Sequence, residues 1–216
     1  MRRFLGRSVA IVGSGPGVLD NKRGFIDGHD VVVRVNNYRL SEAAGFRTDV
    51  FYSFFGDSIR KTAAELRNDR VTLCMCKCPD ANAIHSPWHV KRKRMNGVDF
   101  RYIYRNRADF WFCDTYIPAA SDFLEQFHLL GDRVPTTGFA AILSILEFKP
   151  KSVYLTGFDF FRSGLHNVSE PWRKRNDDDP IRHEPERELR WIAANAQKYP
   201  LSFDKALQAI FANGGL

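Results

Sequence analysis

Apolar residues in this chain occur in two patterns that alternate along it: short unbroken runs, and stripes at helical spacing. Residues 8–12 (SVAIV) form an apolar, β-branched run, the signature of a strand buried on both faces of a parallel sheet. Asp30–Val35, Val50–Phe55, Val71–Lys77 and Lys151–Phe160 repeat the pattern, and alternating aromatic and basic residues over Phe100–Tyr104 predict one more short strand. Helical stretches fall between these runs. Asp57 or Ser58 can cap a helix reaching about Leu66, a second helix covers Ala119–Leu130, and Thr136 or Thr137 stands where an N-cap belongs before the apolar stretch ending at Phe148. Pro185 suits the first position of a helix whose buried stripe is Leu189, Ile192, Ala193 and Ala196. A last stripe of Phe203, Ala206, Leu207, Ile210 and Phe211 either packs on the core or rests on an anionic membrane surface. The pattern predicts one α/β domain over residues 1–216, with no internal repeat and no linker.

Chemistry collects where the runs end. The first closes in Gly13-Ser14-Gly15-Pro16-Gly17, whose glycines let backbone N–H groups approach a ligand, and the second in Asn36-Asn37, whose amides can read a base edge or sugar hydroxyls. Two adjacent strands ending in this way would line a crevice at the carboxyl edge of a parallel sheet, where open α/β sheets bind ligands. This predicts a nucleotide site. A dinucleotide fingerprint is a poor match: position 18 is Val, and the acidic residue, Asp30, precedes the second strand instead of closing it. Thr136, Thr137 and Gly138 begin a helix with hydroxyls, N–H groups and the positive end of the dipole, a setting for phosphate or carboxylate. Residues 160–182 form a long loop holding His166 and Trp172, a length typical of binding loops. His183 stands just outside a helix N-terminus, where the dipole keeps the imidazole neutral while Glu186 and Glu188 oppose it. Taken singly, each feature also fits a structural role: a connecting turn, a well-capped core helix, a structural histidine.

Net charge is +7, which favours anionic partners. The basic runs Lys91–Arg94 and Arg173–Arg175 come without a zinc finger, a recognition-helix pattern or an RNA-binding aromatic signature, so no nucleic-acid partner is expected. No run reaches the ~18–20 apolar residues of a membrane span, and no signal peptide is visible; a cytoplasmic location is expected. Cys74, Cys76 and Cys78 alternate along one run as small buried hydrophobes, and their spacing is not that of a metal site.

In combination these stretches resemble the sialyltransferase family that includes the animal enzymes. Residues 9–50 match its long motif through VAIVGSGPG, IDGHDVVVRVN and GFRTDV; residues 134–160 resemble its short motif through VPTTGFAAIL and VYLTGFDF. Leu165-His166-Asn167 loosely matches the third motif, and His183 to Glu188 matches the very short one, His-x4-Glu. The resemblance implies a Rossmann-like fold with a mainly parallel central sheet flanked by helices, a variant of the GT-A type. It implies an inverting transfer of a sialic acid or related ulosonic acid, such as Kdo, from its CMP-activated donor to a glycan or lipid-linked glycan, with no cofactor and no metal. Gly13, Ser14, Asn36, Thr136, Thr137, Gly138 and Gly157 would then meet the cytidine monophosphate, with Gly15 and Asn37 beside them. His166 would steady the leaving phosphate, His183 would be the general base, and Glu188 would support the local structure. The animal members carry Asn where this chain has Ser14, and a disulfide joining two motifs that here contain no Cys. This points to a compact, bacterial-like version. Two alternatives remain: a non-catalytic nucleotide- or glycan-binding module on the same fold, and an NAD(P)-linked oxidoreductase.

Overall fold

The computed structural model describes residues 2–56, 59–79, 110, 112–162 and 183–213. Strands β1 (Ser8–Val12), β2 (Val31–Val35), β3 (Val50–Ser53), β4 (Leu73–Cys76), β5 (Asp114–Tyr116), β6 (Ser152–Thr156) and β7 (Leu201–Phe203) form one sheet in the order β5-β4-β3-β2-β1-β6-β7. Every neighbouring pair is parallel. Helices α1 (Ala63–Asn68), α2 (Ala120–Leu129), α3 (Thr137–Glu147), α4 (Pro185–Asn195) and α5 (Lys205–Asn213) flank it, with a 3-10 turn at Pro16–Asp20. This is the α/β, Rossmann-like architecture expected from the sequence.

The unbroken apolar runs are explained by burial on both faces. Val9 and Ile11 of β1 join the main core with Phe139, Ile142 and Ile145 of α3, while Ala10 and Val12 pack with Val32, Ile26 and Tyr154 on the other side. All residues from Phe139 to Leu146 are buried. Arg34 lies fully buried on β2, where Nε donates to the Arg47 carbonyl and Thr48 Oγ1, and Nη2 donates to the Ala44 carbonyl. It thereby ties β2 to the loop that leads into β3.

Several boundaries differ from expectation. The helix assigned to a cap at Asp57 or Ser58 begins instead at Ala63; those two residues lie outside the described ones. Thr62 and Glu65 form a capping box, which satisfies two N-terminal donors reciprocally and so fixes the start four or five residues later. The expected strand at Phe100–Tyr104 also lies outside the described residues. Strands β5 and β7 were not foreseen, being three residues each and only partly buried, too short to show a period. Cys74, Cys76 and Cys78 are buried thiols as expected, and burial pushes the thiols of Cys76 and Cys78 up. The C-terminal stripe packs on the core: Leu207 is fully buried, and Phe203, Ile210 and Phe211 lie against the same cluster. Among the described residues, no helix is long and apolar enough to cross a membrane.

Candidate functional site

From β1 the strand order runs β2 to β5 in one direction and β6, β7 in the other. The point of reversal therefore lies between β1 and β6, and a crevice is expected there. The sequence placed it between the first two strands. Those are indeed neighbours, but the reversal of strand order falls between β1 and β6.

The glycines at this point have a reason that sequence reading did not supply. A Cβ on Gly13 would fall 2.4 Å from the Gly157 carbonyl oxygen, and one on Gly15 would fall 2.8 Å from the same atom. The ends of β1 and β6 thus touch backbone to backbone. The N–H groups expected to face a ligand are used in this contact: Gly13 N–H donates to the Thr156 carbonyl and Gly15 N–H to the Gly157 carbonyl, each at 2.8 Å. Gly157 itself has φ +73°, which only glycine adopts cheaply. Ser14 stands between the two buried glycines with its side chain exposed.

Asn36 also has a positive φ, 52°, just past the end of β2. Its Oδ1 accepts from Ser53 Oγ at 3.1 Å. Asn37 Oδ1 accepts from the Arg60 backbone N–H at 2.7 Å. Both amide oxygens are therefore anchored to the protein. Positive φ recurs along this edge, at Phe55 after β3 and at Phe160 and Phe161 after β6. Bulky residues in that region cost about 1–3 kcal/mol each and concentrate at functional edges.

Helix α3 points its N-terminus to the same edge. Thr136 is the N-cap and Thr137 the first helical residue, which settles the choice the sequence left open. Thr136 is more heavily engaged than expected. Its N–H donates to Glu188 Oε1 at 2.6 Å, its hydroxyl donates to Oε2 at 2.7 Å, and Oγ1 accepts from the Phe139 N–H. Its donors are thus not available to a phosphate. The N–H groups of Thr137 and Gly138 have no acceptor among the described residues, as helix geometry requires at the first turn. A Cβ on Gly138 would fall 2.6 Å from the Phe158 ring, so this glycine lets the end of β6 approach the helix start.

Glu188 is fully buried in α4. Burial pushes its carboxyl up to about 7, against the two hydrogen bonds from Thr136 and the charge of Lys77. Lys77, itself buried just past β4, is a member of this edge that sequence reading treated only as a strand end. His183 lies two residues before α4, and its Nδ1 is 2.7 Å from the Val134 carbonyl oxygen. A carbonyl only accepts, so Nδ1 carries a proton, and in the neutral ring the lone pair is then on Nε2. Glu184, the N-cap of α4, pairs with Arg133 and Arg187, and Arg187 donates to the Leu130 carbonyl. These contacts seat His183 against the segment that starts α3. Arg162 and Glu186 form a forked ion pair, at 3.0 and 2.9 Å, between the turn after β6 and the first turn of α4.

A continuous path of contacts therefore links Gly13 and Gly15 through Gly157 and Phe158 to Gly138, Thr136, Glu188 and, by way of Val134, His183. His166 lies outside the described residues. Sequence reading missed Asp204, which is 3% exposed at the start of α5. Its Oδ2 accepts from Gly157 N–H and Thr156 Oγ1, and its Oδ1 accepts from Leu207 N–H.

No family model matches the sequence, and no curated protein does either. Solved structures do. The Campylobacter jejuni sialyltransferase CstII in complex with cytidine-5'-monophosphate superposes with a TM-score of 0.60 at 16% identity, over 96% of this chain and 84% of that one. CstII with a trisaccharide acceptor and CMP gives 0.56 at 18% identity, over 94% and 84%. A mammalian sialyltransferase gives 0.57 at 18%, over 92% and 68%. The fold is sialyltransferase-like.

Proposed function

We propose that this chain is a glycosyltransferase that moves a sialic acid or related ulosonic acid, Kdo included, from its CMP-activated donor to a hydroxyl of a glycan or lipid-linked glycan, with inversion. The observation that carries the reading is the His183 tautomer. With Nδ1–H turned to the Val134 carbonyl, Nε2 is the basic nitrogen of the neutral ring and the one proposed to take the proton. The acceptor hydroxyl gives that proton to Nε2 as its oxygen bonds to the anomeric carbon. The bond from that carbon to the phosphate oxygen breaks on the opposite face, and CMP departs with the electron pair. The Thr137 and Gly138 N–H groups and the α3 dipole suit the negative charge that grows on the leaving phosphate. His166 is proposed to steady the same group, and Gly13, Ser14, Asn36, Asn37 and Gly157 to border the nucleotide. A phosphate ester of this kind is a good leaving group, so positioning, a base and charge stabilisation suffice without a metal or other cofactor. Solved CstII structures hold CMP, one of them in complex with a trisaccharide acceptor as well. The likeness in fold supports a donor and acceptor of the same chemical classes here.

Replacing His183 with Ala is expected to lower turnover by about 10²–10⁴-fold while CMP affinity, measured by titration calorimetry against UMP, GDP and NAD, stays near that of the parent. Equal loss of both would make His183 a structural residue. A response to NAD without one to CMP would overturn the reading as a whole.

A further inference from the structure

We infer that Asp204 is a positioning residue for the nucleotide crevice, holding the Gly13–Gly17 turn in register with the end of β6 without itself meeting a ligand. The inference rests on the crevice assignment above. Capping its own helix takes only one of the carboxylate oxygens: Oδ1 accepts from Leu207 N–H at 2.8 Å. Oδ2 turns the other way and accepts from Gly157 N–H at 2.8 Å and Thr156 Oγ1 at 2.9 Å. The Gly157 carbonyl in turn accepts from Gly15 N–H, and the Thr156 carbonyl from Gly13 N–H. Asp204 is therefore one peptide removed from both hydrogen bonds that hold the turn. Its backbone is fixed as well, its N–H donating to the Leu155 carbonyl.

Two neighbours reinforce the arrangement. Asn21 lies just past the 3-10 turn and donates through Nδ2 to Thr156 Oγ1 and to the Val18 carbonyl, while Tyr154 OH donates to its Oδ1. The start of α5 also meets the turn directly: a Cβ on Gly17 would fall 2.8 Å from Asp204 Oδ2 and from Ala206 Cβ. The last glycine of the turn thus leaves room for the carboxylate. Every oxygen of Asp204 faces a backbone N–H, which can only donate. An amide in its place must set an NH₂ group against one of them, whichever way it is turned.

The test compares Asp204→Asn with Leu207→Ala, which opens a cavity in the same helix but leaves Gly157 untouched. Two readouts are taken: CMP affinity by calorimetry, and exchange of individual backbone amides by NMR. Asp204→Asn is expected to weaken CMP binding by about tenfold or more and to speed exchange at Gly15 and Gly157 while Ile11 and Val153 stay protected. Leu207→Ala, with an equal or greater drop in melting temperature, is expected to leave CMP affinity within about twofold. Unchanged affinity in Asp204→Asn, or equal weakening in both variants, overturns the inference and leaves Asp204 as a helix cap. If the parent protein binds no CMP, the functional reading fails, and amide exchange decides the positioning role: Gly15 protected as in the parent overturns it. If Asp204→Asn does not fold, Thr156→Val takes its place. That variant removes one donor to Oδ2, and parental CMP affinity and Gly15 protection in it overturn the inference.

Discussion

Two buried carboxylates brace different parts of the candidate crevice, and what their oxygens face sets them apart. Glu188 reaches from α4 to the start of α3, where one oxygen accepts from an N–H and the other from a hydroxyl. Asp204 reaches from the start of α5 to the end of β6, with a backbone N–H on each oxygen. A hydroxyl can turn. A protonated Glu188 therefore keeps both contacts, Oε1 still accepting from Thr136 N–H and a protonated Oε2 donating to Thr136 Oγ1. Asp204 differs: the Thr156 hydroxyl also reaches Oδ2, but each of its two oxygens accepts from a backbone N–H, which cannot turn. The first brace suits an amide in place of the acid and the second does not, although both are buried acids at helix starts.

The largest effect is expected where the second brace ends. Gly157→Ala puts a methyl group 3.0 Å from the backbone carbon and oxygen of Gly13, at a φ that disfavours any side chain. A loss of about 3 kcal/mol or more should appear in chemical denaturation. A variant as stable as the parent would show that the β1–β6 contact is loose. Glu188→Ala comes next. It strands the Thr136 N–H and hydroxyl and leaves a void, for about 3 kcal/mol by the same measurement. An effect under about 1 kcal/mol would mean that water replaces the carboxylate.

Glu188→Gln is expected to stay within about 0.5 kcal/mol of the parent at low pH, since the amide can accept from Thr136 N–H and donate to Oγ1. Its distinguishing effect is on pH dependence. In the folded parent the carboxyl of Glu188 is pushed up to about 7, against 4.5 as its ordinary value. Between these values the folded state binds more protons than the unfolded one, so this group makes stability fall as pH rises from 4.5 to 7, and adds no further change above. Denaturation across that range should show the slope in the parent and a flatter profile in Glu188→Gln. Parallel profiles would place the titration elsewhere.

These two residues also mark how far the sequence could be read. Glu188 was legible as half of a His-x4-Glu spacing and as an acid in a first helical turn, but its partner Thr136 lies 52 positions away. Nothing in a linear pattern reports such a pairing. Asp204 carried a local signal that was passed over: an acid directly before the Leu207, Ile210, Phe211 stripe is a helix cap by type and position. Its second bond, to Gly157, carried none. The buried strands were plain because burial on both faces needs unbroken apolar runs, and the edge strands β5 and β7 escaped because exposure relaxes that demand. The glycines of the turn were recognised for their freedom of approach, yet what approaches most closely is another strand.

The pairing of β1 with β6 sets Ser8 beside Ser152 and Val12 beside Thr156, although β2 to β5 all lie between them in the chain. Contacts so distant in sequence pay their loop-closure entropy before they return any stability, and they are expected to form late. The strands on one side of β1 can be synthesised and stacked while the crevice does not yet exist, for half of its wall is still to come. Asp204 follows later still. If the crevice takes CMP as proposed, binding is expected to report finished folding: a chain arrested after β5 would hold most of the described strands and lack β6 beside β1.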